Sequence, residues 1–160
     1  MRAGRSRNDQ VSTDFRLYLE NRDPSTSPKI NQAIMIGPAS HGTCVGNIGA
    51  VVGHPVKNVD DAARELAEGS PLVGKLNTDW DKQRSQLTGG VTIIGTTGTP
   101  TLGPAAGLFE DGDGYMPTAQ LAMPGAKLVT MEGPHKTPLA HLWQVQYPGV
   151  VNAVFDVLGK

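Results

Sequence analysis

Three side chains of the types that make up a nucleophilic triad stand in the order Ser40, Asp113 and His135. A serine hydroxyl is a weak nucleophile until an imidazole takes its proton and a carboxylate holds that imidazole in one orientation. Each of the three lies among turn-forming residues: Ser40 in Gly37-Pro38-Ala39-Ser40-His41-Gly42, Asp113 in Asp111-Gly112-Asp113-Gly114, and His135 in Gly133-Pro134-His135. A second group, Ser6-Arg7-Asn8, suits different chemistry. A planar guanidinium holds a carboxylate through two parallel bonds while a hydroxyl and an amide donate beside it. Each feature also has a plain structural use. An aspartate in a glycine-rich loop forms turns, a histidine after proline faces solvent, and an arginine-rich segment makes a solvated helix face.

The elements that must position these groups follow from periodicity and punctuation. Apolar Val11, Phe15, Tyr18 and Leu19 recur at three- and four-residue steps and predict a helix over 5–20, capped by Ser6 or Asn8. Residues 21–29 (NRDPSTSPK) read as a linker, because two prolines forbid continuation and the rest is polar. Strands are predicted at 33–37 (AIMIG), 91–95 (VTIIG), 127–132 (KLVTME) and, more faintly, 105–109. Helices are predicted at 44–52, at 60–69 with an acidic first turn and a glycine stop, at 117–123 behind Pro117, and at 149–158. The polar stretch 70–90 fits either state. Strands alternating with helices imply an α/β fold, a mostly parallel sheet flanked by helices. The expected organisation is an N-terminal helix and linker over 1–29 and an α/β domain over 30–160.

Bulk composition narrows the function classes. The 160 residues include 20 Gly and 12 Pro, a fifth of the chain, so turns and close backbone approaches are frequent. With 3 Phe, 2 Trp and 3 Tyr, the core must be built from Val, Ile, Leu and Ala. A net charge of −1 argues against a nucleic-acid partner, which would require a basic patch or stripe. Cys44 is the one cysteine, so no internal disulfide forms and no cysteine-based metal site is expected. No apolar run reaches the ~18 residues of a membrane span, and no apolar leader is visible, so a cytoplasmic protein is expected. No coenzyme-binding glycine fingerprint is present, and no cofactor is expected.

Residues 34–55 (IMIGPASHGTCVGNIGAVVGHP) resemble the nucleophile elbow of the α/β-hydrolases, a strand ending in Gly-x-Ser-x-Gly before a helix of small residues. The resemblance implies Ser40 as nucleophile, the His41 position as oxyanion donor and Gly42 as the second glycine. The family's first glycine falls on Pro38, and Gly37 stands one place early. Residues 100–117 are similar to the family's penultimate strand and acid loop, which implies Asp113 with Pro117 as the orienting acid and Asp111 as its fallback. Residues 123–135 are similar to its last strand and histidine loop, which implies His135 as general base, with Pro134 where a glycine is usual. Residues 150–158 match the closing helix. Together these imply a truncated α/β-hydrolase-like sheet behind an extra N-terminal helix, attacking an ester-like carbonyl of a small-molecule substrate.

Residues 4–19 (GRSRNDQVSTDFRLYL) resemble a segment of the argininosuccinate lyases, and this implies that Ser6, Arg7 and Asn8 contact the carboxylates of a dicarboxylate substrate. His141-Leu142 with Gln144, Gln146 and Pro148 faintly resembles that family's Thr-His-Leu-Gln segment. The chain is thus a mosaic, and three functional expectations follow. The favoured one is a serine hydrolase. Beside it stand a lyase-like, dicarboxylate-binding fragment and a non-catalytic or artificial mosaic domain, with self-association as a way to cover open sheet edges.

Overall fold

The computed structural model describes residues 23, 25, 30–43, 64–102, 109–133 and 140–159. The helices expected at 5–20 and 44–52, most of the linker at 21–29, and His135 lie outside the described residues. Of the helix expected at 60–69, residues 64–66 are described and helical, and Gly69 follows at a φ of +74°.

The architecture is mixed α/β. Three parallel strands form the sheet: β1 (Gln32–Ile36), β2 (Gly90–Thr97) and β5 (Lys127–Glu132), in the order β1-β2-β5. Ala33 pairs with Val91 and Ile36 with Ile94 on one side of β2, while Thr92 pairs with Lys127 and Thr97 with Glu132 on the other. The β-branched run Val91-Thr92-Ile93-Ile94 is buried throughout, as expected for a central parallel strand covered on both faces. β1 alternates instead, with Ala33 and Met35 turned into the core. A separate antiparallel ribbon joins β3 (Thr99–Leu102) to β4 (Phe109–Gly112), with Thr99 opposite Gly112 and Thr101 opposite Glu110. Of the faint strand expected at 105–109, residues 105–108 lie outside the described residues and Phe109 opens β4.

The stretch 70–90 resolves into two helices before β2, α1 (Pro71–Thr78) and α2 (Trp80–Arg84). Ser70 caps α1: its hydroxyl accepts from the Val73 N–H at 3.2 Å and donates to the Glu65 carbonyl at 2.7 Å. Pro71 occupies the first turn, where its missing N–H costs nothing. Trp80 is buried and donates its indole N–H to the Pro124 carbonyl at 2.7 Å. Together with Leu87, Met116, Leu121 and Met123 it packs on Ala33, Met35, Val91 and Ile93 to form the core.

The helix expected at 117–123 is only a single 3-10 turn, Thr118–Gln120, with Pro117 at its N-cap. Beyond β5 come a short helix α3 (Ala140–Trp143), a 3-10 turn (Gln144–Gln146) and the last helix α4 (Pro148–Leu158), which packs on β2 and β5. Pro148 starts α4, and Gly159 at a φ of +69° ends it. Among the described residues, no helix is long and apolar enough to cross a membrane.

Candidate functional site

Because the three strands run in parallel, the loops that follow them leave from one rim of the sheet. The loop after β1 carries Ser40, the ribbon after β2 leads to Asp113, and the segment after β5 leads to α3.

Gly37 extends the β1–β2 pairing by one bond, its N–H donating to the Ile94 carbonyl at 2.8 Å. It then turns the chain at a φ of +51°. Ser40 lies three residues on and is 3% exposed. Gly42 closes the turn at a φ of +85°, its N–H donating to the Ala39 carbonyl at 3.2 Å. A Cβ on Gly42 would come within 2.8 Å of the Glu68 backbone, so glycine is required there by space as well as by dihedral. Among the described residues every positive φ belongs to glycine. Ser40 therefore does not carry the strained dihedral of a hydrolase elbow; Gly37 and Gly42 take up the turn on either side of it.

Asp113 is 1% exposed and surrounded by donors. Its Oδ1 accepts from the N–H groups of Tyr115 at 2.8 Å and Met116 at 2.6 Å. Its Oδ2 accepts from His141 Nδ1 at 2.8 Å and from the Gln144 side-chain amide. Asp111, the fallback acid, is exposed, and it accepts from the Gly98 N–H at 2.7 Å. Of the two aspartates, Asp113 is thus the inward acid, and Asp111 is an exposed residue of β4 that holds the Gly98 N–H. Thr101 supports the loop from beneath, accepting from the Gly114 N–H at 2.8 Å and donating to the Thr99 carbonyl at 3.1 Å.

His141 is 2% exposed, and its ring lies 4.8 Å from that of Tyr115 with a 35° tilt between the planes. With Nδ1–H donating to the carboxylate, the neutral ring presents Nε2 as its acceptor. A carboxylate holding a buried imidazole in this way is an arrangement that general-base chemistry can use. The histidine that Asp113 holds is therefore His141; His135, the one implied by the hydrolase resemblance, lies outside the described residues. The sequence links His141 and Gln144 only to a faint lyase-like segment and not to Asp113. The signal was present, since Leu139-Ala140-His141-Leu142-Trp143 is apolar around one histidine, and a buried imidazole needs a partner.

Gly37 joins the two halves of the site. A Cβ there would stand 3.2 Å from Asp113 Oδ2 and 3.0 Å from both polar atoms of the Gln144 amide. His41 turns its ring to another partner, Nε2 bonding to the Ala122 carbonyl at 2.9 Å. It lines an open cleft of about 260 Å³ with Asn77, Thr78, Trp80, Asp81, Met123 and Pro124. Ser6, Arg7 and Asn8 lie outside the described residues. Among those described, no cluster of three His, Cys, Asp or Glu residues could hold a metal ion.

Comparison with protein-family models, curated proteins and solved structures gives no match for this chain.

Proposed function

We propose that the chain is a serine hydrolase acting on an ester-like carbonyl, built on a truncated α/β-hydrolase-like sheet with an extra N-terminal helix. Ser40 is the nucleophile, His141 the general base and Asp113 its orienter. The observation that carries this reading is the buried bond of 2.8 Å from His141 Nδ1 to Asp113 Oδ2, on the rim where the Ser40 loop also emerges.

In this mechanism His141 Nε2 takes the Ser40 hydroxyl proton as Oγ bonds to the carbonyl carbon, and the carbonyl pair moves onto oxygen. The His41 N–H, at the position after the nucleophile, is the candidate donor to that oxygen. Collapse expels the alkoxide, which takes the proton back from Nε2. Water then repeats the sequence on the acyl-serine and releases the acid. The carboxylate of Asp113 keeps the ring in the Nδ1–H tautomer and stabilises the imidazolium formed at each step.

The test is hydrolysis of p-nitrophenyl acetate and butyrate by wild type, Ser40→Ala, His141→Ala and His135→Ala. The first two variants are expected to lose about 10³-fold in rate, and His135→Ala to keep the wild-type rate. Equal rates in wild type and Ser40→Ala would remove Ser40 from the mechanism. A drop confined to His135→Ala would restore that residue as the base.

A second reading is favoured by one observation: Ser40, Asp113 and His141 are 3%, 1% and 2% exposed. In it the domain is non-catalytic and the Asp113–His141 pair latches α3 to the acid loop. The same assay separates the two, since this reading expects no variant to alter the background rate. The dicarboxylate reading rests on Ser6, Arg7 and Asn8 alone, and a thermal shift with fumarate would support it.

A further inference from the structure

We infer that Gln144 is a positioning residue for the Asp113–His141 pair, setting both the orientation and the basicity of the imidazole. The catalytic consequence rests on the hydrolase reading above; the effect on the imidazole does not.

His141 lies within α3 and Gln144 opens the 3-10 turn that follows, three residues apart. In helical and 3-10 geometry that spacing puts both side chains on one side of the chain. Both reach the same carboxylate oxygen, Asp113 Oδ2. Gln144 Nε2 also stands 3.3 Å from His141 Nδ1. With two donors converging on one acceptor, the carboxylate cannot swing toward either without loosening the other. The imidazole Nδ1 is thereby held in direction as well as in distance.

The amide's orientation follows from charge. A carboxylate accepts and does not donate, so Nε2 must face Oδ2. Oε1 is then left buried without a hydrogen-bond partner among the described residues. A residue present only to fill space would be better apolar, because a buried carbonyl without a donor costs free energy. Gln144 is fully buried, and what it provides is the bond to Asp113. Gly37 leaves the room for it, since a Cβ there would crowd both polar atoms of the amide at 3.0 Å.

The electrostatic effect has a definite sign. A neutral donor on Oδ2 shares the negative charge that would otherwise stabilise the imidazolium. Its removal leaves the carboxylate charge more available to His141 and raises the ring's titration midpoint. Among the described residues, the titratable groups in contact with His141 are Asp113 and Tyr115.

Nitrogen-15 NMR of the His141 ring in the full chain reads this directly. Gln144→Met keeps the shape and removes the donor, and is expected to raise the midpoint by about one pH unit. Gln144→Glu, which adds a carboxylate, is expected to raise it further. An unchanged midpoint in both variants would overturn the inference. If neither variant folds, the wild-type side-chain amide decides: one Gln144 Nε2 proton is expected to resist exchange with solvent, and free exchange of both would refute the bond. None of these readouts needs hydrolysis. A midpoint that shifts in Gln144→Met while Ser40→Ala hydrolyses esters at the wild-type rate would therefore sink the hydrolase reading and leave this one standing. In an active hydrolase, the lower limb of the pH–rate profile is expected to move upward with the midpoint.

Discussion

Gly37 and Asp113 meet across the rim of the sheet, so closely that a Cβ on Gly37 would lie 3.2 Å from the Asp113 carboxylate. Gly37 also holds a φ of +51°, in the left-handed region that L side chains avoid. Gly37→Ala is therefore expected to destabilise the chain by about 1–2 kcal/mol through the dihedral alone. It is also expected to push the Gln144 amide off Oδ2. Urea unfolding measures the first effect, and the His141 ring resonances measure the second. A variant as stable as wild type would show that the turn has another conformation available to it.

Asp111 and Asp113 differ in what depends on them. Asp113→Asn replaces the charged acceptor of four donors, and it is expected to cost about 3 kcal/mol, because a buried pair broken on one side leaves its partner uncompensated. Under the hydrolase reading it also loses the tautomer that catalysis requires, with a fall in rate of about 10⁴-fold. Asp111→Asn keeps an oxygen for the Gly98 N–H and is expected to stay within about 0.5 kcal/mol of wild type, with unchanged hydrolysis. Paired thermal melts and ester assays on the two variants check both expectations. Equal effects would contradict the assignment of the inward acid.

Gly95, in the middle of β2, lies against the fully buried side chain of Leu121, which a Cβ would overlap. Gly95→Ala is expected to cost about 1–3 kcal/mol by overpacking. Combining it with Leu121→Ala should recover part of that loss, giving a non-additive double-mutant cycle in chemical denaturation. Strict additivity would place the two side chains out of contact.

The fold was legible where local chemistry and tertiary placement agree. The β-branched run of β2 and the span 127–132 of β5 read as strands, and the final helix expected at 149–158 is found at Pro148–Leu158. The β3–β4 ribbon was not legible. Pro100 lies inside β3 and weakens any strand signal, and the pairing of Thr99 with Gly112 is a long-range choice. In the stretch 70–90, Ser70 and Pro71 form a cap whose value depends on Val73 and Leu76 finding the core. Asp113 is singled out by the resemblance of residues 100–117 to an acid loop, whereas the histidine bonded to it is not singled out by the matching histidine loop. His135 and His141 both follow β5; the apolar run around His141 marks its burial, but which carboxylate it meets rests on where α3 seats.

The parallel pairing of β2 with β5 has a consequence for evolution and design. Ile94 stands opposite Val129, and the chain on either side continues from that alignment to the acid loop and to the histidine. A slip by one residue would displace one segment against the other by about 3.3 Å, more than the whole length of the bond that joins them. Substitutions that loosen strand alignment are thus expected to part Asp113 from His141 before they unfold the chain.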